Sequence, residues 1–336
     1  MKRSNKRILA VLMQWDYGDE RRGLSNDKAW FLDNFVQLAE DVQPFWYDAY
    51  LNDLPALRKA LLEKAETFNP DLIFFLPYTD QFDAETLERL KSKYTTCVWF
   101  GDDTWRFESY SSKLAKYFTH VCTTDPFSLD KYRKLGVEPI LTQWAAQHSP
   151  ALKGPLAEEG RYSYDVSFVG ARNEVRAWFI SRLSKAGIKV ECFGAGWSNG
   201  RVTCERMSEI FRASRINLNL SNSVSWDIRF IFGGLRNFLR WLVSAKTSEQ
   251  IKGRNFEIPL AGGFQLTNYV IGLEKYLEIG KEVAVFTTPE DCVRQVEYYL
   301  SDKAARSLIA AAGYERAVKE HTYLHRLEIL LGKIWA

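Results

Sequence analysis

Two rhythms of apolar and polar positions alternate along this chain. Arg7 to Met13 is a short strand-like run, and Leu72-Ile73-Phe74-Phe75-Leu76 is apolar at every position. Strands buried on both faces read this way. Between them, helical spacing spans Asp27 to Glu40, with Trp30, Phe31, Phe35 and Leu38 in step. A second helix, Leu54 to Phe68, puts Leu57, Leu61, Leu62 and Ala65 on one side, and Asn69-Pro70-Asp71 ends it. A helix at Phe82 to Tyr94, a strand at Cys97 to Phe100, and short strands at His120-Val121-Cys122 and Ile140-Leu141 follow, with a helix at Phe127 to Leu135. Strands alternating with helices predict a parallel, doubly wound α/β sheet.

Residues 147–163 carry linker chemistry: Pro150, Lys153-Gly154-Pro155 and Glu158-Glu159-Gly160. The pattern then restarts. Strands are expected at Val166 to Val169, Lys189 to Phe193, Ile216 to Leu220, Gly263 to Thr267 and Val283 to Phe286, with helices at Glu174 to Ala186 and Cys204 to Ala213. A long element from Ser223 to Lys246 interleaves aromatic residues with arginines. The chain ends in helices at Pro289 to Leu300, Lys303 to Ala312 and Tyr314 to Lys333. The division is therefore 1–150, 151–313 and a final helix, 314–336. A length of 336 residues agrees with two α/β halves, since domains average about 150 residues.

Composition narrows the function. Lys plus Arg number 45 against 42 Asp plus Glu, a formal charge of +3. That excludes an acidic tail and gives no support to a nucleic-acid binder, which shows a strong basic excess. Aromatic residues make up 14% of the chain, read either as an aromatic core or as aromatic-lined clefts. Cys97, Cys122, Cys192, Cys204 and Cys292 form no CxxC pair and read as buried thiols of a reducing, cytoplasmic compartment. The four histidines form no HExxH and no Cys/His cluster, so no metal site is expected. The basic start before Ile8 is too short in its apolar part for a signal peptide and reads as a first strand. No run reaches the ~18 apolar residues of a membrane helix. Ile231 to Ala245 comes nearest, broken by Arg236 and Arg240; it reads either as a packed helix or as an amphipathic, membrane-touching surface.

Several chemistries lack their motifs. No GxGxxG follows the first strand, no Walker A sequence is present, and no GxSxG elbow occurs. Asp102 and Asp103 form an adjacent pair at a strand end, where carboxylates either meet a ligand or cap a turn. The most informative stretch runs from Glu249 to Thr267. It is a basic loop with Lys252, Gly253 and Arg254, a short helix with Glu257, then Gly262-Gly263 and a buried strand. Lys252, Arg254 and helix N–H groups suit a diphosphate, and Glu257 suits a ribose diol. A solvated loop with a helix-stabilising Glu fits the spacing equally well.

This stretch, with its surroundings, resembles the C-terminal half of GT-B glycosyltransferases, and more narrowly the CgeB-like family. The match is carried by Lys252-Gly253-Arg254-Asn255-Phe256-Glu257, Ala261 to Thr267, Gly272-Leu273-Glu274, Gly280-Lys281-Glu282-Val283, Ala311-Ala312-Gly313 and His321-Thr322-Tyr323. Tyr164 to Gly170, Phe193-Gly194-Ala195-Gly196-Trp197, Ser214 to Ser221, Trp99 to Phe107 and Thr123-Thr124-Asp125 fit the same pattern. The resemblance implies two Rossmann-like domains facing a cleft, an acceptor-side first domain, a donor-binding second domain, and a last helix crossing back to the first.

It also implies sugar transfer from a nucleotide-diphosphate donor without a metal or other cofactor. Glu257, Arg254, Lys252, Asn255, Arg172, Gly170 and Trp197 would hold the donor. Glu249 and Glu257 fit a Glu-x7-Glu spacing, with Glu249 toward the donor sugar, although Lys252 and Arg254 replace the usual intervening glycines and aromatic. Asp103 or Asp102 would be the base of an inverting reaction; retention needs none. The acceptor stays open among glycan, lipid-linked glycan, protein and small molecule. Two other readings stand beside this one: a non-catalytic scaffold of surface or spore-coat assembly, and a nucleotide-sugar epimerase.

Overall fold

The computed structural model describes residues 3–147 and 162–336. The linker expected at 147–163 thus lies, from 148 to 161, outside the described residues. The chain forms two compact units, Met1–Gln147 with Tyr323–Ala336, and His148–Thr322.

Among the described residues, the first unit holds β1 (Ser4–Leu12), β2 (Ala39–Trp46), β3 (Leu72–Phe75), β4 (Thr95–Phe100), β5 (His120–Thr123) and β6 (Pro139–Leu141). They form one parallel sheet in the order β2-β1-β3-β4-β5-β6. Side chains alternate across it as the two-residue period requires. Leu9 and Val11 face Leu57, Leu61 and Ala65 of the helix Leu54–Phe68. Ile8, Ala10 and Leu12 face Phe31 and Phe35, and also Tyr323, Leu327, Leu330 and Leu331 of the last helix, Tyr323–Ile334. Trp30 stacks on Tyr323 with ring centroids 5.1 Å apart.

β2 escapes the apolar-run criterion. It lies at the edge of the sheet, carries Glu40, Asp41, Gln43 and Pro44, and only Ala39 and Phe45 are buried. An edge strand has one solvated side and tolerates proline, so it need not read as apolar.

The second unit holds β7 (Tyr164–Val169), β8 (Glu191–Phe193), β9 (Ser214–Asn219), β10 (Gln265–Asn268) and β11 (Ala284–Phe286), parallel in the order β8-β7-β9-β10-β11. The chain leaves β7 to one side for β8 and to the other for β9. The carboxyl ends of β7 and β9 therefore flank the point where strand order reverses, and ligands of such sheets bind there.

Two expected elements differ. The element at 223–246 is two helices, Ile228–Ile231 and Leu235–Val243, parted by Gly233-Gly234 with Gly234 at φ +156°. The helix Lys303–Glu320 runs through Gly313, and the break falls at His321-Thr322 instead. Gly313 is there for contact: a Cβ would stand 2.5 Å from the Glu282 carbonyl oxygen. Cys204 is exposed, unlike the other four cysteines.

Candidate functional site

The reversal point of the second sheet is organised by an arginine. β7 ends at Val169, and the turn Gly170-Ala171-Arg172 leads to the helix Glu174–Lys185, capped by the Asn173 side chain, which accepts from the Arg176 N–H at 2.9 Å. The Arg176 guanidinium reaches across to the segment after β9. Its Nε donates to the carbonyls of Leu220 (3.2 Å) and Ser221 (3.1 Å), and its Nη2 to Leu220 (2.9 Å). Its Nη1 donates to the Ala171 carbonyl at 2.9 Å. Burial and the nearby charge of Arg254 lower its pKa to about 10, so it stays cationic at neutral pH.

Glu249 faces this arginine. The residue as a whole is exposed, yet its carboxyl turns in among Ser221, Ser223, Asn268 and the Arg176 charge. Desolvation raises that carboxyl above its ordinary range, against the pull of those polar neighbours and of Arg176.

Arg254 and Glu257 lie one turn apart on the helix Arg254–Leu260 and pair with each other, Nη1 to Oε2, at 2.6 Å. Both are half-buried. The Arg254 guanidinium lies over the Phe211 ring, 5.3 Å from its centroid, and touches the Met207 sulfur. The loop before this helix is closed by Asn255, whose Oδ1 accepts from the Lys252 N–H at 3.0 Å and whose amide reaches the Thr267 hydroxyl at 3.4 Å. The Asn255 and Phe256 N–H groups donate to Lys252 and Gly253 carbonyls, both at 2.9 Å. These two N–H groups are thus engaged in the turn itself, beside the cationic side chain of Arg254.

On the β8 side, Arg172 and Trp197 form a pair. The Arg172 guanidinium carbon lies 5.7 Å from the indole ring, and Trp197 Nε1 donates to the Gly170 carbonyl at 2.9 Å. Gly170 N–H donates to Phe193 O at 2.8 Å. Gly194, at φ +125°, lets these turns touch: a Cβ there would sit 2.4 Å from the Gly170 oxygen. Arg176, through Ala171, ties this pair to the Glu249 and Arg254 side. His321 of the C-terminal motif packs on Phe256, 4.9 Å between rings, with Nε2 2.7 Å from the Tyr276 carbonyl.

The first unit holds the other two candidates. The Asp102 carbonyl accepts from the N–H groups of Trp105 (3.1 Å) and Arg106 (2.9 Å), opening the helix Asp103–Arg106. Asp102 is half-buried and lies within electrostatic reach of Tyr17. Asp103 turns inward and is 2% exposed. Its Oδ2 accepts from Tyr132 Oη at 2.7 Å, the Ser111 and Thr123 hydroxyls lie near the carboxyl, and Oδ1 is buried without a hydrogen-bond partner among the described residues. Burial pushes the Asp103 carboxyl up to about 6.

Unfolded, Asp103 would lose its proton near its ordinary value of 3.8; folded, it keeps it to about 6. In that window the native state binds more protons, so stability falls as pH rises through it. Asp103→Asn should gain about 1–3 kcal/mol above pH ~6 and flatten the slope below. Urea unfolding at mildly acidic and at neutral pH measures both.

Arg176, which bridges the two loops at this point, is not marked by any sequence motif. One signal was available: a cation in the first turn of a helix opposes the helix dipole, so it needs carbonyl partners from elsewhere. Among the described residues, no three His, Cys, Asp or Glu side chains gather as metal ligands, and no helix is long and apolar enough to cross a membrane.

Comparison with known proteins adds the relatives. Residues 172–332 match the model of a glycosyl transferase-like family. A search of curated proteins finds no match. Among solved structures, a sucrose-phosphate synthase of Thermosynechococcus elongatus is similar, with a TM-score of 0.68 at 10% identity, over 98% of this chain and 99% of that one. HepE of Anabaena, solved with UDP and glucose, gives 0.62 at 10% identity over 98% and 99%. A glycosyltransferase of Rickettsia africae gives 0.62 at 10% identity over 98% of each chain. The chain therefore has the GT-B fold, two parallel-sheet α/β domains, and its residues 172–332 carry the sequence pattern of the glycosyl transferase-like family.

Proposed function

We propose that this protein transfers a sugar from a nucleotide-diphosphate donor, bound at the reversal point of the second sheet. The observation that carries the reading is that Arg176 lies within electrostatic reach of Arg254 and Glu249, with the Arg254–Glu257 pair on one side and the Ala171-Arg172 turn it holds on the other. A diphosphate leaving group develops negative charge as the glycosidic bond breaks, and fixed cations stabilise it without a metal. Arg172, Arg254 and Lys252 would take the phosphates. Glu257 would accept from the ribose, exchanging part of its bond to Arg254. Glu249 would face the sugar, Trp197 would flank the base, and Gly170 and Asn255 would shape the turns.

Support for a uridine nucleotide comes from HepE, which was solved with UDP-glucose. In the first unit, Asp102 would be the base of an inverting reaction, because it is more accessible than the enclosed Asp103. The motif residues Lys252 to Glu257 favour a CgeB-like member of these transferases, and the five free cysteines suit the cytoplasm.

Titration calorimetry with UDP tests the donor site. Arg254→Ala and Glu257→Gln should each bind UDP about 10- to 100-fold more weakly, the range of one charged hydrogen bond, with unchanged circular dichroism. Unchanged affinity would make the assignment wrong. It would favour the non-catalytic scaffold, for which a mutually satisfied Arg254–Glu257 pair is purely structural. An epimerase would instead convert a nucleotide sugar with no acceptor present, which NMR of the products would reveal.

A further inference from the structure

We infer that the segment from Trp226 to Val243 seats the second unit on an anionic lipid bilayer, with the helix Leu235–Val243 lying in the interface. This inference is independent of the sugar-transfer reading. The helix is amphipathic, but it is turned the wrong way round for a soluble protein. Leu235, Leu239 and Leu242 share one stripe, at i, i+4 and i+7, and they are 74%, 48% and 61% exposed. The side turned to the protein carries Asn237, Arg240 and Trp241, all half-buried. Val243 on the same helix and Ile228 and Phe232 just before it are exposed as well. Exposed apolar residues contiguous over two helices mark an interaction surface, whereas single ones do not.

Charge selects the occupant. Residues 233–243 contain Arg236 and Arg240 and no carboxylate. The acidic neighbours are already engaged: Arg229 pairs with Asp227 and with Glu290, each at 2.6 Å. Neither Arg236 nor Arg240 makes an ion pair among the described residues. Two copies of this chain meeting symmetrically through this face would bring like cations together with nothing to neutralise them. Acidic headgroups neutralise them, while the leucines enter the acyl boundary and Arg236, exposed beside the leucine stripe, reaches up to the phosphates.

The test is sedimentation of the full chain with vesicles of phosphatidylcholine alone or with added phosphatidylglycerol. The chain should pellet with the anionic vesicles, stay in solution with the neutral ones, and be released by salt. Leu239→Glu with Leu242→Glu should abolish pelleting. Arg236→Ala should weaken it about 5-fold. Circular dichroism should show every variant folded. The inference is overturned if the chain ignores both vesicles, binds both equally, or keeps binding with the two glutamates. It is equally overturned if light scattering finds a wild-type dimer that the glutamates split, for then a second copy covers the face.

Discussion

Arg176→Met is expected to destabilise the second unit by about 3–5 kcal/mol and to remove most UDP binding. Methionine keeps much of the side-chain volume, so the change isolates the guanidinium. Its loss strips partners from the carbonyls of Leu220, Ser221 and Ala171. The three lie on the two loops that frame the sheet's reversal point. The Leu220 and Ser221 carbonyls are part-buried, where an unsatisfied polar group costs about 1–3 kcal/mol, whereas the Ala171 carbonyl is exposed and water can replace the arginine there. The same change takes a cation away from Glu249, whose carboxyl should then rise further. Arg176→Lys should fall between, because one ammonium cannot span both loops as the planar fork does. Urea unfolding with UDP titration reads both effects. A loss of under about 1 kcal/mol in the methionine variant would mean that the two loops hold without it.

Gly194→Ala should be nearly as damaging, roughly 3–5 kcal/mol. Two costs combine. The residue sits at φ +125°, where an L side chain is strained, and its new Cβ would stand 2.4 Å from the oxygen and 2.6 Å from the carbon of Gly170. Gly187→Ala separates them: it has φ +85° and nothing within 4 Å, so it pays the dihedral cost alone, about 1–2 kcal/mol. The excess in Gly194→Ala is the price of backbone contact. The overlap can be relieved only by moving the Gly170 turn, so UDP affinity should fall in Gly194→Ala and hold in Gly187→Ala.

The parallel strands were legible because burial on both faces leaves apolar runs such as Leu72 to Phe75. β2 was not, because an edge strand keeps polar residues such as Glu40 and Asp41. Gly313 reads as a break in sequence, but tertiary approach of Glu282 is what requires it, and no local pattern records a distant carbonyl. At the site, Arg254 and Glu257 stood out through their motif. Arg176 did not, since a lone arginine on a helix looks like solvated surface until the loop after β9 is seen beside it. The inward turn of Asp103 was equally hidden: which of two adjacent aspartates meets Tyr132 is decided by packing between segments 29 residues apart.

The last helix has a consequence for how the chain comes to be folded at all. One face of the first sheet is covered by Tyr323, Leu327, Leu330 and Leu331. A ribosome delivers those residues after everything through Thr322, so the whole second unit can be complete while the first still shows bare apolar surface. Synthesis in order of sequence normally lets the earlier domain finish first. Here the earlier one must wait, held in a partly uncovered state, until the final turns of helix emerge to close it.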